Sequence, residues 1–268
     1  MKLDNKTIDE IKGLARQKLV EYSKLNDVIG GQIFNILELQ NKVLYYPIED
    51  EDVWGFSEKI KGISFVWINT AIPYDKQVFA AAHELYHLWF ENYGDVILKK
   101  DFEELNNDVS ISEIELRANR FAAEFLINEE LLLQEMRTYG VEKTKICIKG
   151  ILKLSNLFVV PYKTMVKRLY EVKLINKKQY AEFMELSNEQ IEIWRNRLGL
   201  SLPTRDNKIG LNSLVDKAME LYESKKITRE KLEYLLSFAQ LNMEEMGIKD
   251  EEPYIPPTDE ELDAIMEE

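Results

Sequence analysis

Apolar positions along this chain switch between two periods, and the switches mark its elements. From Lys6 to Leu25, Ile8, Ile11, Leu14, Ala15, Leu19 and Tyr22 recur at three- and four-residue steps, which predicts an amphipathic helix. Gly30-Gly31 interrupts the pattern, and Gln32 to Leu39 reads as a second, shorter helix. The runs Val43–Pro47 and Gly62–Ile68 are rich in β-branched and aromatic residues and read as strands, with Val53–Phe56 a short piece between them. Pro73 and Asp75 then announce a helix that is apolar nearly all round, with Asp75 as the expected N-cap. From Gly94 to Ser112 the chain is polar and acidic, with the character of a loop.

Glu113 to Leu126 restores a helical period. Ile114, Ala118, Phe121, Ala122, Phe125 and Leu126 fall on one side; Glu113, Arg117, Arg120 and Glu124 fall on the solvated other. Glu115 and Asn119 sit at the edge of the apolar stripe, away from those charges. Further helices are expected over Lys145–Leu154, Tyr162–Val172 and Ser187–Leu198, the last opened by a Ser187/Gln190 capping box. A polar loop through Gly210 leads to a helical hairpin, Leu214–Tyr222 and Lys231–Phe238, with Thr228 as the second N-cap. The fold class is therefore α+β: a zincin-like core of helices and a small sheet, followed by a mostly helical C-terminal region. The expected divisions are a metallopeptidase-like domain at 1–135, a basic helical subdomain at 136–186, a hairpin region at 187–248 and an acidic, flexible tail at 249–268.

The single cysteine, Cys147, excludes an internal disulfide framework and suits a reducing compartment. Neither a signal peptide nor a membrane-spanning run is evident, which predicts a cytoplasmic location without a membrane partner. The net charge of −13 argues against the chain as a whole binding nucleic acid. That charge is uneven: Glu142–Lys178 holds ten Lys/Arg against two acids, a local +8 (10 − 2), so the remainder sums to −21 (−13 − 8).

The chain's two histidines, His83 and His87, stand four residues apart on the apolar helix, with Glu84 directly after the first. Residues i and i+4 lie one above the other on a helix, so both imidazoles can reach one ion. Glu84 is about 100° round the axis, too far to be the natural third ligand but close enough to act as a base on a water at the ion. This is the H-E-x-x-H arrangement of zinc peptidases. The bland alternative, a buried helix with two structural histidines, would require polar partners for both rings in an apolar setting. A third ligand is needed, and without another histidine it must be a carboxylate. Glu115, 28 residues past His87 (115 − 87), is favoured for its helical placement, with Asn119 one turn on to orient it. Glu91, Asp95, Asp101, Glu103 and Glu104 are nearer in sequence, in loop-like or solvated settings. The ligand types suit one Zn2+, and Mn2+ or Fe2+ are compatible with them.

Taken together, Ile68-Asn69, His83-Glu84-Leu85-Tyr86-His87 and Glu115-Leu116-Arg117-Ala118-Asn119-Arg120-Phe121-Ala122-Ala123 resemble the ImmA/IrrE family of metallopeptidases over about residues 5–130. The resemblance implies His83, His87 and Glu115 as metal ligands and Glu84 as the catalytic acid/base. Tyr86 departs from it, since relatives usually carry glycine there. The resemblance also implies cleavage of a helix-turn-helix repressor encoded nearby in a prophage, mobile element or stress regulon. A cytosolic protease without narrow specificity would harm its host, which agrees. An oxyanion needs a donor other than histidine, and Asn69, Tyr74 and Tyr86 are the candidates near the helix. If Asn69 ends an edge strand, an extended substrate can add to that edge.

The basic segment is open to a second reading. Two helices around Pro161, with Lys163, Lys167 and Arg168 on the second, look like a helix-turn-helix. No Arg/Asn/Gln cluster suited to base edges stands out there, so a solvated basic face is the better reading. The alternatives to a narrow-specificity endopeptidase are a DNA-binding regulator with a structural metal, and a toxin or partner-binding module without turnover.

Overall fold

A computed structural model describes residues 3–60, 62–91, 113–239 and 241–248. The loop expected at 94–112 and the tail expected at 249–268 lie outside the described residues. Helix α1 (Asn5–Glu21) opens with the Asp4 carboxylate accepting from the Thr7 amide at 2.7 Å, an N-cap that satisfies one of the helix's free donors. Its Ile11, Ala15 and Leu19 are buried at four-residue steps. A 3-10 turn (Gly30–Gln32) leads into α2 (Ile33–Glu38), then come β1 (Lys42–Tyr46), β2 (Gly55–Ile60) and β3 (Ile63–Asn69).

The sheet is mixed, in the order β2-β3-β1-β4, where β4 is Gly210–Leu211. β1 and β3 run parallel with Val43 beside Val66 and Tyr45 beside Ile68. β2 pairs antiparallel with β3, and β4 antiparallel with β1. Side chains alternate as a pleated strand requires: Val43 and Tyr45 face the core, Leu44 and Tyr46 face outward. β3 is therefore an interior strand, and Asn69 does not end an edge; β2 is the edge beside α3 (Tyr74–Phe90). The expected polar loop through Gly210 instead supplies a strand. Its neighbour Asn212 accepts from Val43 N at 2.8 Å and donates to Asn41 O at 2.9 Å, and Thr204 O accepts from Tyr74 N at 2.9 Å.

α3 lies between the sheet and α4 (Glu113–Leu126), and is buried on most sides. Its N-cap is Pro73, not Asp75. Asp75 falls inside the first turn, buried, 4.0 Å from the Arg195 guanidinium, and its burial raises the carboxyl above its ordinary range despite that neighbour. There follow α5 (Glu129–Thr138), capped by Asn128, α6 (Ile148–Phe158), α7 (Tyr162–Glu171), α8 (Lys177–Met184) and α9 (Asn188–Arg197). The Ser187/Gln190 capping box at α9 forms as read from the sequence.

The chain divides into two compact units, Met1–Asn212 and Ser213–Glu268. In the first, one cluster of buried residues runs from Ile11 through Ile151, Phe158, Met165 and Leu169 to Ile191. Buried residues of the stretch 136–186 belong to the same cluster as those of the helices around His83. The second unit holds α10 (Leu214–Glu223) and α11 (Arg229–Ser237), packed around Ala218, Leu232, Leu236 and Met243, with Thr228 capping α11.

α4 and α7 are joined by a buried ionic network. Glu124 is 6% exposed and Arg168 fully buried, and they pair through both carboxylate oxygens. Arg168 Nε also donates to Ile127 O at 2.8 Å, while Arg120 bonds Glu124 at 2.5 Å and pairs with Glu171 at 3.0 Å. Two expectations fail here. Glu124 does not face solvent, and Arg168 does not belong to an exposed basic face. Ile114, placed on the apolar side, is half exposed.

Candidate metal centre

The apolar run Val78–Ala82 seats α3 in the core, so the polar groups that follow it meet α4 in a largely dry setting. His83 and His87 lie one turn apart with their Nε2 atoms 3.0 Å from each other. From α4, Glu115 brings Oε2 to 3.0 Å from His83 Nε2 and Oε1 to 3.7 Å from His87 Nε2. These three residues form a group able to hold a metal ion, with ligand atoms all within 4.8 Å of one another.

The far side of each ring explains why a cation fits. His87 Nδ1 is 2.9 Å from Glu91 Oε2, and a carboxylate can only accept, so the ring proton is on Nδ1. His83 Nδ1 faces Asn119 Oδ1 at 3.2 Å, which places its proton likewise. With the Nδ1 atoms so engaged, both Nε2 atoms turn toward each other and toward the Glu115 carboxylate, a cluster that a proton or a metal cation can hold together. Three acceptors this close repel unless a cation stands among them. The two Nε2 atoms lie 3.0 Å apart and Glu115 Oε2 lies 3.0 Å from His83 Nε2, near the edge of about 3.4 Å expected for a tetrahedron with zinc-like bonds near 2.1 Å. The charge balance says the same. Burial lowers the basicity of His83, but the bond to Glu115 and the fields of Glu84 and Glu115 outweigh it and raise its pKa. The site attracts positive charge.

Glu84 is outside the ligand group and 6% exposed, on the side of α3 that meets β2. Its Cγ would be 3.8 Å from a Cβ placed at Gly55, and the same Cβ would clash with Trp67 O at 2.8 Å. Only glycine lets the edge strand approach so closely.

The other candidates are placed elsewhere. Asn69 is fully buried, and its amide bonds Ile48, Asp50, Val53 and Ala71 backbone groups at 2.8–3.1 Å, holding the loop before β2 and leaving nothing for a substrate. Tyr74 is nine residues before His83, about 13 Å along the axis, with its hydroxyl against Gly31. Tyr86 is buried; its oxygen accepts from Arg117 Nε at 2.9 Å and its ring packs on Phe90 and Phe121. It stands about 200° round the helix from Glu84 and is a core residue. Asn119, expected beside Glu115, turns its oxygen to His83. Glu91 was weighed only as a rival ligand, yet it is the partner of His87. Its signal was available, because His83, His87 and Glu91 repeat one four-residue step.

Residues 38–170 match the family model of the IrrE N-terminal-like domain, the M78 peptidases. This chain belongs to the ImmA/IrrE family of metallopeptidases. The matched span includes α6 and nearly all of α7. Neither the curated proteins nor the solved structures give a match to the chain.

Proposed function

We propose that this chain is a zinc-dependent endopeptidase of narrow specificity that cleaves a helix-turn-helix repressor. The observation that carries the hydrolytic reading is the convergence of two Nδ1-protonated histidines and Glu115 on one point. A zinc ion held by His83, His87 and Glu115 would polarise the scissile carbonyl and make water nucleophilic near neutral pH. Glu84 takes the proton of the attacking water and delivers it to the leaving amine. Asn119 and Glu91 hold the two imidazoles in the tautomer that offers Nε2. β2 has no strand on its outer side among the described residues, and Gly55 brings it beside Glu84. An extended substrate adding to that edge would lay its backbone along the site. The repressor as substrate is supported by the family resemblance, and a cytoplasmic setting by the single, exposed Cys147. Among the described residues, no helix is long and apolar enough to cross a membrane.

The test separates metal from base. His83→Ala should lose its zinc by elemental analysis. Glu84→Gln should keep zinc and fold yet cleave a repressor from the neighbouring reading frame at least about 10²-fold more slowly. Full zinc in the first variant, or wild-type turnover in the second, would refute the assignment.

A further inference from the structure

One helical turn from the metal group lies a cavity of about 230 Å³ that no part of the proposed chemistry uses. Trp54 and Phe79 line it, their rings edge to face at 6.3 Å, together with Ala123. From α7, Thr164, Lys167, the buried Arg168 and Glu171 also line it. Asn119 lines it too, the residue whose oxygen faces His83.

Its position follows from helix geometry. Phe79 precedes His83 by four residues and Asn119 follows Glu115 by four, so the cavity begins about 6 Å from the ligand group along both helices. Neighbouring Cα atoms of a substrate are about 3.8 Å apart, so a side chain flanking the scissile bond reaches that far and one several residues away does not. The volume falls below the range of about 300–1,000 Å³ typical of small-molecule sites, and suits a single side chain.

Resting on the peptidase reading, we propose that this cavity receives a large apolar side chain, aromatic before aliphatic, from a residue flanking the scissile bond. Two features compete to define the occupant: the aromatic walls, and the Lys167 ammonium, which has no partner among the described residues. An exposed ion pair discriminates by about fivefold at most. Burying a large apolar side chain discriminates by about ten- to a hundredfold, so the walls decide.

The test uses the full chain loaded with zinc and a mixture of random-sequence peptides, with cut sites read by mass spectrometry. Wild type should favour Phe, Tyr, Trp, Leu or Met at one flanking position. Ala123→Leu fills the cavity and should lower cutting at aromatic relative to small residues at that position by at least about tenfold, while still holding one zinc per chain as a check on folding. A second measurement does not depend on turnover. Binding of N-acetylphenylalaninamide, followed by 19F NMR of 5-fluorotryptophan at position 54, should exceed that of N-acetylalaninamide in Glu84→Gln and lose its advantage in Glu84→Gln/Ala123→Leu. Chelator-insensitive or absent cleavage would sink the peptidase reading alone, because this binding comparison still judges the cavity. Cleavage without a size preference, an unchanged profile in Ala123→Leu, or an acidic preference removed by Lys167→Ala would overturn the cavity assignment.

Discussion

Arg168→Met should destabilise the first unit by about 3–5 kcal/mol. The substitution keeps the aliphatic stem but removes a fully buried guanidinium that pairs with both oxygens of Glu124 and bonds the Ile127 carbonyl at 2.8 Å. Glu124, 6% exposed, then keeps only Arg120, while Glu171 remains close by, so one buried negative charge is uncompensated. Breaking a buried pair from one side typically costs about 3–5 kcal/mol, because the surviving charge has neither partner nor water. Arg120 holds the value toward the lower end, and the orphaned Ile127 carbonyl pushes it up again by about 1 kcal/mol or more. For a unit of this size the melting temperature should fall by about 6–20 °C.

The assay is urea unfolding of the single and double variants. Arg168→Met/Glu124→Leu leaves Arg120 facing Glu171, a neutral remainder, and should recover more than half of the loss, since replacing both members of a buried pair is often neutral. A single variant within about 1 kcal/mol of wild type, or a double equal to the sum of the singles, would refute the account. Acid provides an independent check. Burial pushes the Glu124 carboxyl up, but Arg168 and Arg120 outweigh it and hold it below its ordinary 4.5. A depressed folded pKa gives stability that is present above the unfolded value and lost as pH falls through the folded one. Wild type should therefore lose more stability below pH 4.5 than the double variant does.

Glu91→Ala should keep the fold and weaken zinc affinity by about 10- to 100-fold, measured by competition with a chelating dye; an unchanged affinity would make the His87 contact incidental. Asn69→Ala removes the bonds that hold the loop before β2, and should cost about 2 kcal/mol or more in urea unfolding while leaving zinc content unchanged; loss of zinc without loss of stability would return Asn69 to the site. Charge reversal at Lys163 and Lys167, the exposed cations of α7, should slow cleavage of the protein substrate and flatten its dependence on ionic strength; an unchanged salt slope would exclude α7 from substrate steering.

Local patterns made some parts of this fold readable and left others hidden. The four-residue steps in α1, α3 and α4 and the pleat of β1 and β3 follow from side chains packing within one element, so they show in sequence. The grouping of His83, His87 and Glu115, able to hold a metal ion, was legible because chemistry restricts residue type and spacing together. Arg168 was misread because its partner, Glu124, is 44 residues away; no local rule tells a solvated arginine from one sealed under a helix. β4 is two residues long and has no period to detect. Its pairing with β1 depends on contacts such as Asn212 with Val43, 169 residues apart. The backbone bonds of Asn69 were hidden for a related reason, since a buried amide bonded to the backbone of four residues looks in sequence like a polar residue free to bind.

α4 explains why the basic segment belongs with the peptidase. Along it, Glu115 faces the histidines, Asn119 turns to His83, Ala123 lines the cavity and Glu124 anchors Arg168 of α7. One helix thus ties the position of the ligand group to the position of α7, which also lines the cavity. The local excess of positive charge at 142–178 is then of two kinds. Arg168 is a structural peg, spent on Glu124, while Lys163 and Lys167 stay exposed on the same helix. A helix held this way could not leave the core to enter a DNA groove without stranding Glu124, at a cost of several kcal/mol, about that of breaking any buried pair. That penalty, more than the net charge of the chain, is what weighs against a DNA-reading role for α7 and in favour of a wall that meets a protein substrate.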